Sequence, residues 1–262
     1  MKIATWNVNS VRKRTENLVS WLQRMKPDVV VLQELKAQEP QFPRLEIEAA
    51  GYRAEIVGQK GFNGVALLSL HPVEITARAL PDAADDEPAR YIEGRVQTSR
   101  GPLTVGGLYL PNGNPIGTEK FTYKLDWMAR LTRRARVLLE REEMFVLGGD
   151  YNVCPTEIDT YNPKAFENDA LCQPESRAAL RTLLNLGLTD AVRAFHPDGP
   201  QYTYWDYQAG AWQKDHGLRI DHLLLSPQAA DRLTGVGIDR AERGKAEPSD
   251  HVPVWCELDL VP

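Results

Sequence analysis

Residues 144–153 read MFVLGGDYNV, and the order of residue types in that stretch decides what kind of fold the chain builds. The apolar run from Met144 to Leu147 is too short for a helix and has the hydrophobic character of a buried strand. Two glycines follow, which let another backbone come close, and then Asp150 and Asn152, which stand two apart and share a face while the chain stays extended. Runs of the same kind recur as KIATWNV, DVVVLQEL, GVALLS, RYIEGRVQT, LTVGGLYL, YTYWDY, RIDHLLLS and VPVWCEL, each short enough to be a strand. Helical periodicity lies between them. Residues 11–25 put Leu18, Leu22 and Met25 on one stripe. Residues 119–139 do so with Phe121, Leu125, Met128, Ala135 and Leu138, leaving Lys124, Arg130, Arg133 and Arg134 to the surface. A third helix is framed by Pro174 near its first turn and Gly187 after its end. Many strands with a few long helices between them imply an α/β layered sandwich, mixed sheets covered by helices. Without a Ser/Gly linker, low-complexity tract or short repeat to divide it, residues 1–262 read as one domain.

Composition narrows the setting. The 262 residues are 42% hydrophobic and 26% charged, as in ordinary globular proteins and unlike disordered ones. A net charge of −5 means that a nucleic-acid partner would have to meet a local basic surface. Three widely spaced cysteines, 154, 172 and 256, lack any CxxC spacing; they exclude a zinc framework and suit a reducing compartment. No apolar stretch approaches the roughly 20 residues of a bilayer crossing, and MKIATWNVNS lacks the pattern of a secretory leader. A cytoplasmic protein without a membrane partner is expected.

The chemistry gathers at strand ends. ATWNVNS delivers Asn7 and Asn9, VVVLQEL delivers Glu34, LYLPN delivers Tyr109 and Asn112, and VLGGDYN delivers Asp150 and Asn152. Each alone is what a strand meeting water looks like. Together they form a crevice of hard oxygen donors, the type that takes Mg²⁺, with Mn²⁺ as a substitute. In GLRIDHLLLS, Asp221 stands in an apolar strand, where an unpaired acid would be costly. Its natural partner is His251, since a carboxylate on one ring nitrogen raises the pKa and aims the other nitrogen outward. His222 points the other way and is assigned to packing. In EPSDHVPVW, 247–255, Asp250 and His251 can serve one site only if the backbone there is a loop.

The motifs TWNVNSVRKR, PDVVVLQELK, GFNGVALLS, GLYLPNG, GGDYNVCPTEID, LGLTDAVRAFHP, YTYWDY, GLRIDHLLLS and PSDHVPVW stand in the order seen in the exonuclease III family, whose members they resemble; that family comprises abasic-site endonucleases. It lies within the endonuclease/exonuclease/phosphatase superfamily, and the resemblance covers essentially the whole chain. It implies a four-layer α/β sandwich, two packed mixed sheets flanked by helices, and a metal-dependent phosphodiesterase of base-excision repair. Such an enzyme cuts duplex DNA 5′ to abasic sites, digests 3′ ends and cleans blocked ones. By the resemblance Glu34 is the principal metal ligand, with Asn7 and Asn9 lining its cradle and Asp250 an outer member. Asp150, helped by Asn152, orients or deprotonates the attacking water, so both also border the metal. His251, held by Asp221, acts on the scissile phosphate, with Tyr109 and Asn112 as further phosphate contacts.

DNA selection is expected from other residues. Arg12, Lys13 and Arg14 can grip phosphates beside the Asn7 strand. Arg90 matches a family position that reaches DNA. Tyr204, Trp205 or Trp212, in the aromatic-rich YTYWDYQAGAW, can wall a pocket for a base-less sugar. Asn168 falls in a DNA-facing loop, although residues 162–177 are less basic than such a loop usually is. The expected partner is duplex DNA carrying abasic sites or 3′ ends, met by a monomer. Two rival readings stand beside this one: a hydrolase of the same superfamily acting on phosphoinositide, sphingomyelin or RNA, and a non-catalytic DNA-binding scaffold.

Overall fold

Side-chain alternation along the strands explains the layers. In the computed structural model, which describes residues 1–81 and 88–262, β1 (Lys2–Asn7) is followed by α1 (Thr15–Met25), β2 (Val29–Gln33), α2 (Arg44–Ala49), β3 (Arg53–Val57) and β4 (Val65–Ser69). Next come β5 (Val73–Ala77), β6 (Tyr91–Thr98), β7 (Gly101–Tyr109), α3 (Glu119–Glu140), β8 (Met144–Asp150) and α4 (Pro174–Leu184). The chain continues through β9 (Thr189–Asp190), α5 (Ala191–Phe195), β10 (Asp221–Leu225), α6 (Pro227–Ala230), β11 (Leu233–Ile238) and β12 (Val254–Leu258). Ile3, Val29, Val31, Val65 and Leu67 point inward against Ile92, Val105, Val146 and Leu223 of the facing sheet. Their neighbours Ala4, Trp6, Val30 and Leu32 point outward and bury Leu18, Trp21 and Leu22 of α1. Leu108, Phe145 and Leu147 likewise bury Trp127, Leu131, Ala135 and Leu138 of α3. Each buried Val, Leu, Ile or Phe among them contributes about 1.5–3 kcal/mol of transfer free energy, so both helix layers are fixed by hydrophobic burial.

The strands form two mixed six-stranded sheets, ordered β11-β12-β1-β2-β4-β3 and β5-β6-β7-β8-β10-β9. The four-layer sandwich is thus borne out. Within it, β1 runs parallel to β2 and β7 parallel to β8, while β12 is antiparallel to β1 and β10 antiparallel to β8. Four parallel strands therefore end at one edge of the sandwich, and two antiparallel strands begin there.

Local differences from the sequence reading have physical reasons. Residues 11–14 form turns ahead of α1, and α1 stops where Lys26 turns left-handed with its N–H on the Leu22 carbonyl. YTYWDY is not a strand. It is a loop in which Tyr204 alone bridges Leu218 and His251. Lys124 and Arg134 are not surface groups: Lys124 is fully buried, and Arg134 is clamped on Glu93. Edge strands β5 and β11, half-buried and in β11 interrupted by glycines, carry too weak a pattern to be read in advance.

Candidate active site

Strand register assembles the site. Tyr109 pairs with Asp150 across β7 and β8, and Asp150 with Asp221 across β8 and β10, so the three stand in one row. Asn7 ends β1, and Glu34 follows β2 immediately. The glycines bring the two rows together. A Cβ on Gly107 would lie 2.8 Å from Val31 of the facing sheet and one on Gly148 3.3 Å from the same Val31, so the sheets approach this closely where both positions lack one. Beyond the strands the backbone turns into the left-handed region at Asn9 (φ 42°), Glu34 (φ 51°), Lys36 (φ 51°) and Asn152 (φ 49°). Such φ values in non-glycine residues persist where surroundings over-determine them. Here Val8, Ser10 and Val11 donate their N–H groups to the carbonyls of Gln33, Glu34 and Leu35 and extend the β1/β2 pairing into the loops.

Asn7, wholly buried, lies at the centre. Its Nδ2 donates to Oε1 of Glu34 (2.9 Å) and Oδ2 of Asp150 (3.0 Å), and its Oδ1 accepts from the Asn9 amide (3.0 Å). That network fixes which way the carboxamide points. Tyr109 donates its hydroxyl to Glu34 Oε1 (3.0 Å), and Lys36 Nζ sits 2.8 Å from Glu34 Oε2 and 2.6 Å from Asn9 Oδ1. Asn9 Nδ2 donates to Asp250 Oδ1 (3.0 Å). Asn152 donates its backbone N–H to Asp150 Oδ1 (2.9 Å) and accepts on Oδ1 from Asn112 Nδ2 (3.2 Å). The DH pair lies in a loop, as required: Asp250 turns to Asn9 while His251 Nδ1 meets Asp221 at 2.9 and 3.1 Å. Asp221 is held in turn by the Thr203 hydroxyl (2.6 Å).

Burial and charge set the protonation states. Desolvation pushes the Asp150 carboxyl up to about 7, with the Asp221 and Glu34 charges adding to the rise and His251 opposing it. Burial alone would depress the His251 imidazole, but the Asp221 and Asp150 carboxylates and the Asp221 hydrogen bond outweigh it and raise it to about 10. His251 is therefore an imidazolium at neutral pH. Its Nε2 stands 3.8 Å from Asp150 Oδ2, too far for a hydrogen bond, so that N–H stays available. Glu34 is partly desolvated, yet the Asn7 and Lys36 hydrogen bonds and the Lys36 charge keep its carboxyl below the usual range. Tyr109 is raised well above an ordinary phenol by burial and by the Glu34 charge, so its hydroxyl keeps its proton.

Glu34, Asp150 and His251 offer ligand atoms within 4.8 Å of one another. An imidazolium has no lone pair for a metal, which leaves the two carboxylates as the cation-binding part of that group. The asparagines line the same cradle and brace its charged groups. Asn7 turns its amide nitrogen, not its oxygen, to the acids, and the Asn9 oxygen is occupied by Lys36, so both act as hydrogen-bonding braces in this arrangement. Asn152 spends its Nδ2 on the Leu110 carbonyl (2.9 Å). Two lysines escaped the sequence reading. Lys36 carries only the faint signal of lying two residues past Glu34. Lys124, which looks like a surface residue of α3, donates to the carbonyls of Asn112 (3.0 Å) and Asn152 (2.5 Å), and its burial lowers it to about 8.

The site opens into a crevice of about 490 Å³. Asp150, His251 and Asn112 line it together with the aromatic rings of Tyr161, Tyr204 and His216. Trp205 is not part of it. That side chain is wholly buried among Tyr202, Ala211 and Val252 with its Nε1 on Asp215, so it cannot wall a sugar pocket. Trp212 packs edge-on against it. Arg12 and Lys13 are exposed, whereas Arg14 is latched to the Asn9 and Pro248 carbonyls and the Tyr207 hydroxyl. Arg90 lies over the Tyr109 ring at 4.8 Å and donates to its carbonyl (3.1 Å). Asn168 is exposed on the loop after the 3₁₀ turn Pro163–Phe166.

Two mixed sheets pinched at one edge around paired acids and an Asp-held histidine define a phosphoester-hydrolase class, and the profile of the Endonuclease/Exonuclease/phosphatase family matches residues 4–251. The chain belongs to that family. It is 33% identical over 266 residues to exodeoxyribonuclease III of Haemophilus influenzae, covering 98% of this chain and 100% of that protein. The Neisseria 3′ phosphatase NExo, solved with a product DNA hairpin, superposes with a TM-score of 0.93 at 38% identity over 99% of both chains. An AP endonuclease from Archaeoglobus fulgidus gives 0.93 at 34% identity, again over 99% of both chains.

Proposed function

We infer that the protein is a metal-dependent DNA-repair nuclease that hydrolyses phosphodiesters in duplex DNA, cutting 5′ to abasic sites and trimming or cleaning 3′ ends. The observation that carries this reading is the geometry of a buried Asp150 that faces His251 Nε2 at 3.8 Å, with Asp221 holding the other ring nitrogen at 2.9 Å. A carboxylate with a pKa near the working pH can take a proton from an attacking water. The His251 Nε2–H stabilises charge growing on a non-bridging phosphate oxygen, Asn112 donates its second Nδ2 proton to the same group, and Tyr109, whose proton is held by Glu34, borders it. Asn7 and Asn152 keep Asp150 aimed, and Lys124 ties down the backbone of Asn112 and Asn152 from below.

The donor set fits a hard divalent cation. It is made of oxygens, contains no sulfur, and already draws the Lys36 ammonium between Glu34 and Asn9. Glu34 and Asp150, with Asp250 beside them, would hold Mg²⁺, or Mn²⁺ in its place. The ion would neutralise phosphate charge and stabilise the departing 3′ oxygen.

Residues 1–262 are read as one catalytic unit acting as a monomer in the cytoplasm. Three free buried cysteines suit a reducing compartment, and among the described residues no helix is long and apolar enough to cross a membrane.

The test is an end-labelled gel assay on an abasic duplex, a recessed 3′ end and a 3′-phosphate end, with a phosphoinositide head group as a rival substrate. Cleavage of the DNA substrates should vanish in EDTA and return with Mg²⁺ or Mn²⁺. Full activity in chelator, or turnover of the head group alone, would overturn the reading.

A further inference from the structure

We propose that the stacked pair Tyr161–His216 is a nucleobase-binding subsite, which takes the base of the nucleotide on the 3′ side of the scissile phosphate. The proposal rests on the nuclease reading and names what its crevice holds.

The two rings are parallel, with centroids 4.2 Å apart and planes 4° from each other, and Phe166 meets Tyr161 edge-on at 5.7 Å. They come from separate loops that the backbone locks together, since the Tyr161 N–H donates to the Gly217 carbonyl (3.1 Å). This is not core packing. Tyr161 is 37% exposed, and all three rings line the same crevice as Asp150 and His251. An aromatic surface left in water beside a phosphodiester site is what base stacking uses, and every base has a π-face to offer.

A row of isolated backbone bridges leads from the catalytic histidine to the stack: His251 to Tyr204, Tyr204 to Leu218, and Leu218 to Thr160, next to Tyr161. Three strand spacings make roughly 14 Å between backbones, and His251, Tyr204, Leu218 and Tyr161 along that row all line the one crevice. The crevice, about 490 Å³, falls within the range of about 300–1,000 Å³ usual for small-molecule sites. A base-less sugar would leave the aromatic end unfilled, whereas a base-bearing 3′-terminal nucleotide fills it.

The experiment uses the full chain and one duplex made in two forms, its recessed 3′ end closing either on 2-aminopurine or on an abasic residue. In the Asp150→Asn protein, which should hold DNA uncut, 2-aminopurine fluorescence should be quenched on binding, and Tyr161→Ala added to that background should abolish the quench. In the otherwise native protein Tyr161→Ala should lower kcat/KM roughly ten-fold on the base-bearing end and leave the abasic end unchanged. Tyr161→Phe, which keeps the stack, should restore both readouts. Equal losses on the two ends would make Tyr161 merely structural and overturn the proposal, as would an unaltered quench. A native protein that cuts neither duplex in Mg²⁺ would instead sink the nuclease reading itself.

Discussion

Replacing Asp221 with Asn keeps the shape of the site and removes the charge that holds His251 protonated. Asp221 is wholly buried, with both oxygens within 3.1 Å of His251 Nδ1. It is the largest of the influences that raise that imidazole from 6.5 to about 10 against its own burial, and Asp150 shares the effect. Losing one of the two nearest carboxylates should bring His251 down to roughly 8, a change on the order of 3 kcal/mol. The sign follows from which form works. If the imidazolium is the active form, kcat/KM of the variant must fall as pH rises through about 8, and at pH 9 about a tenth of the molecules remain competent. The native enzyme should show no such alkaline limb from His251 until near pH 10. Single-turnover incision from about pH 6.5 to 9.5, with NMR titration of the His251 ring protons, measures both quantities. An Asp221→Asn profile parallel to the native one, or a His251 that still titrates near 10, would refute the pairing as the source of its charge.

Three further outcomes are expected. Trp205→Ala should cost about 3–5 kcal/mol of stability through a buried cavity and leave the preference among DNA ends unchanged in the molecules that remain folded; a thermal melt with a competition assay checks both. Replacing the exposed Arg12 and Lys13 with Ala should weaken binding to abasic and intact duplexes alike and flatten the plot of log affinity against log salt by roughly 0.9 for each phosphate no longer neutralised, read by fluorescence anisotropy. Asp159 is buried, but Arg219 and Arg193 outweigh its desolvation and hold its carboxyl at about 2 against 3.8. Its depressed pKa means that it stabilises the fold above about pH 4 and that this stabilisation, of order 2 kcal/mol, is lost as pH falls toward 2. Acid titration of native and Asp159→Asn proteins by circular dichroism should show the native protein losing more stability over that interval.

The sequence was most legible where chemistry interrupts an apolar run. Asn7, Glu34, Tyr109, Asp150 and Asp221 each mark a strand end, and strands in a layered sandwich have few places to end, so their meeting at one edge follows from the pattern. What a side chain does once there was less legible. Asn7 looks like an oxygen ligand when only residue types are known, yet the Asn9 amide turns its oxygen away from the acids. Lys124 sits in a helix whose charge pattern suggests a solvated face, and only the fold shows two carbonyls waiting for it. Aromatic density in YTYWDYQAGAW could not say which ring faces the crevice: Tyr204 does and Trp205 does not. The Tyr161–His216 stack joins two distant loops, neither of which has any periodicity to announce it.

The first strand carries Asn7, and its partner in the sheet is the last, β12, with Lys2 opposite Glu257 and the Trp6 indole bonded to the His251 carbonyl across 245 residues of chain. A ribosome making this protein therefore releases Asp150, the Glu34 cradle and much of the crevice long before the histidine. Until the segment around His251 is made and β12 pairs with β1, the Asp221 and Asp150 carboxylates have no imidazole to face, so the last strand of the fold completes the charge pairing of a site whose acids are made much earlier.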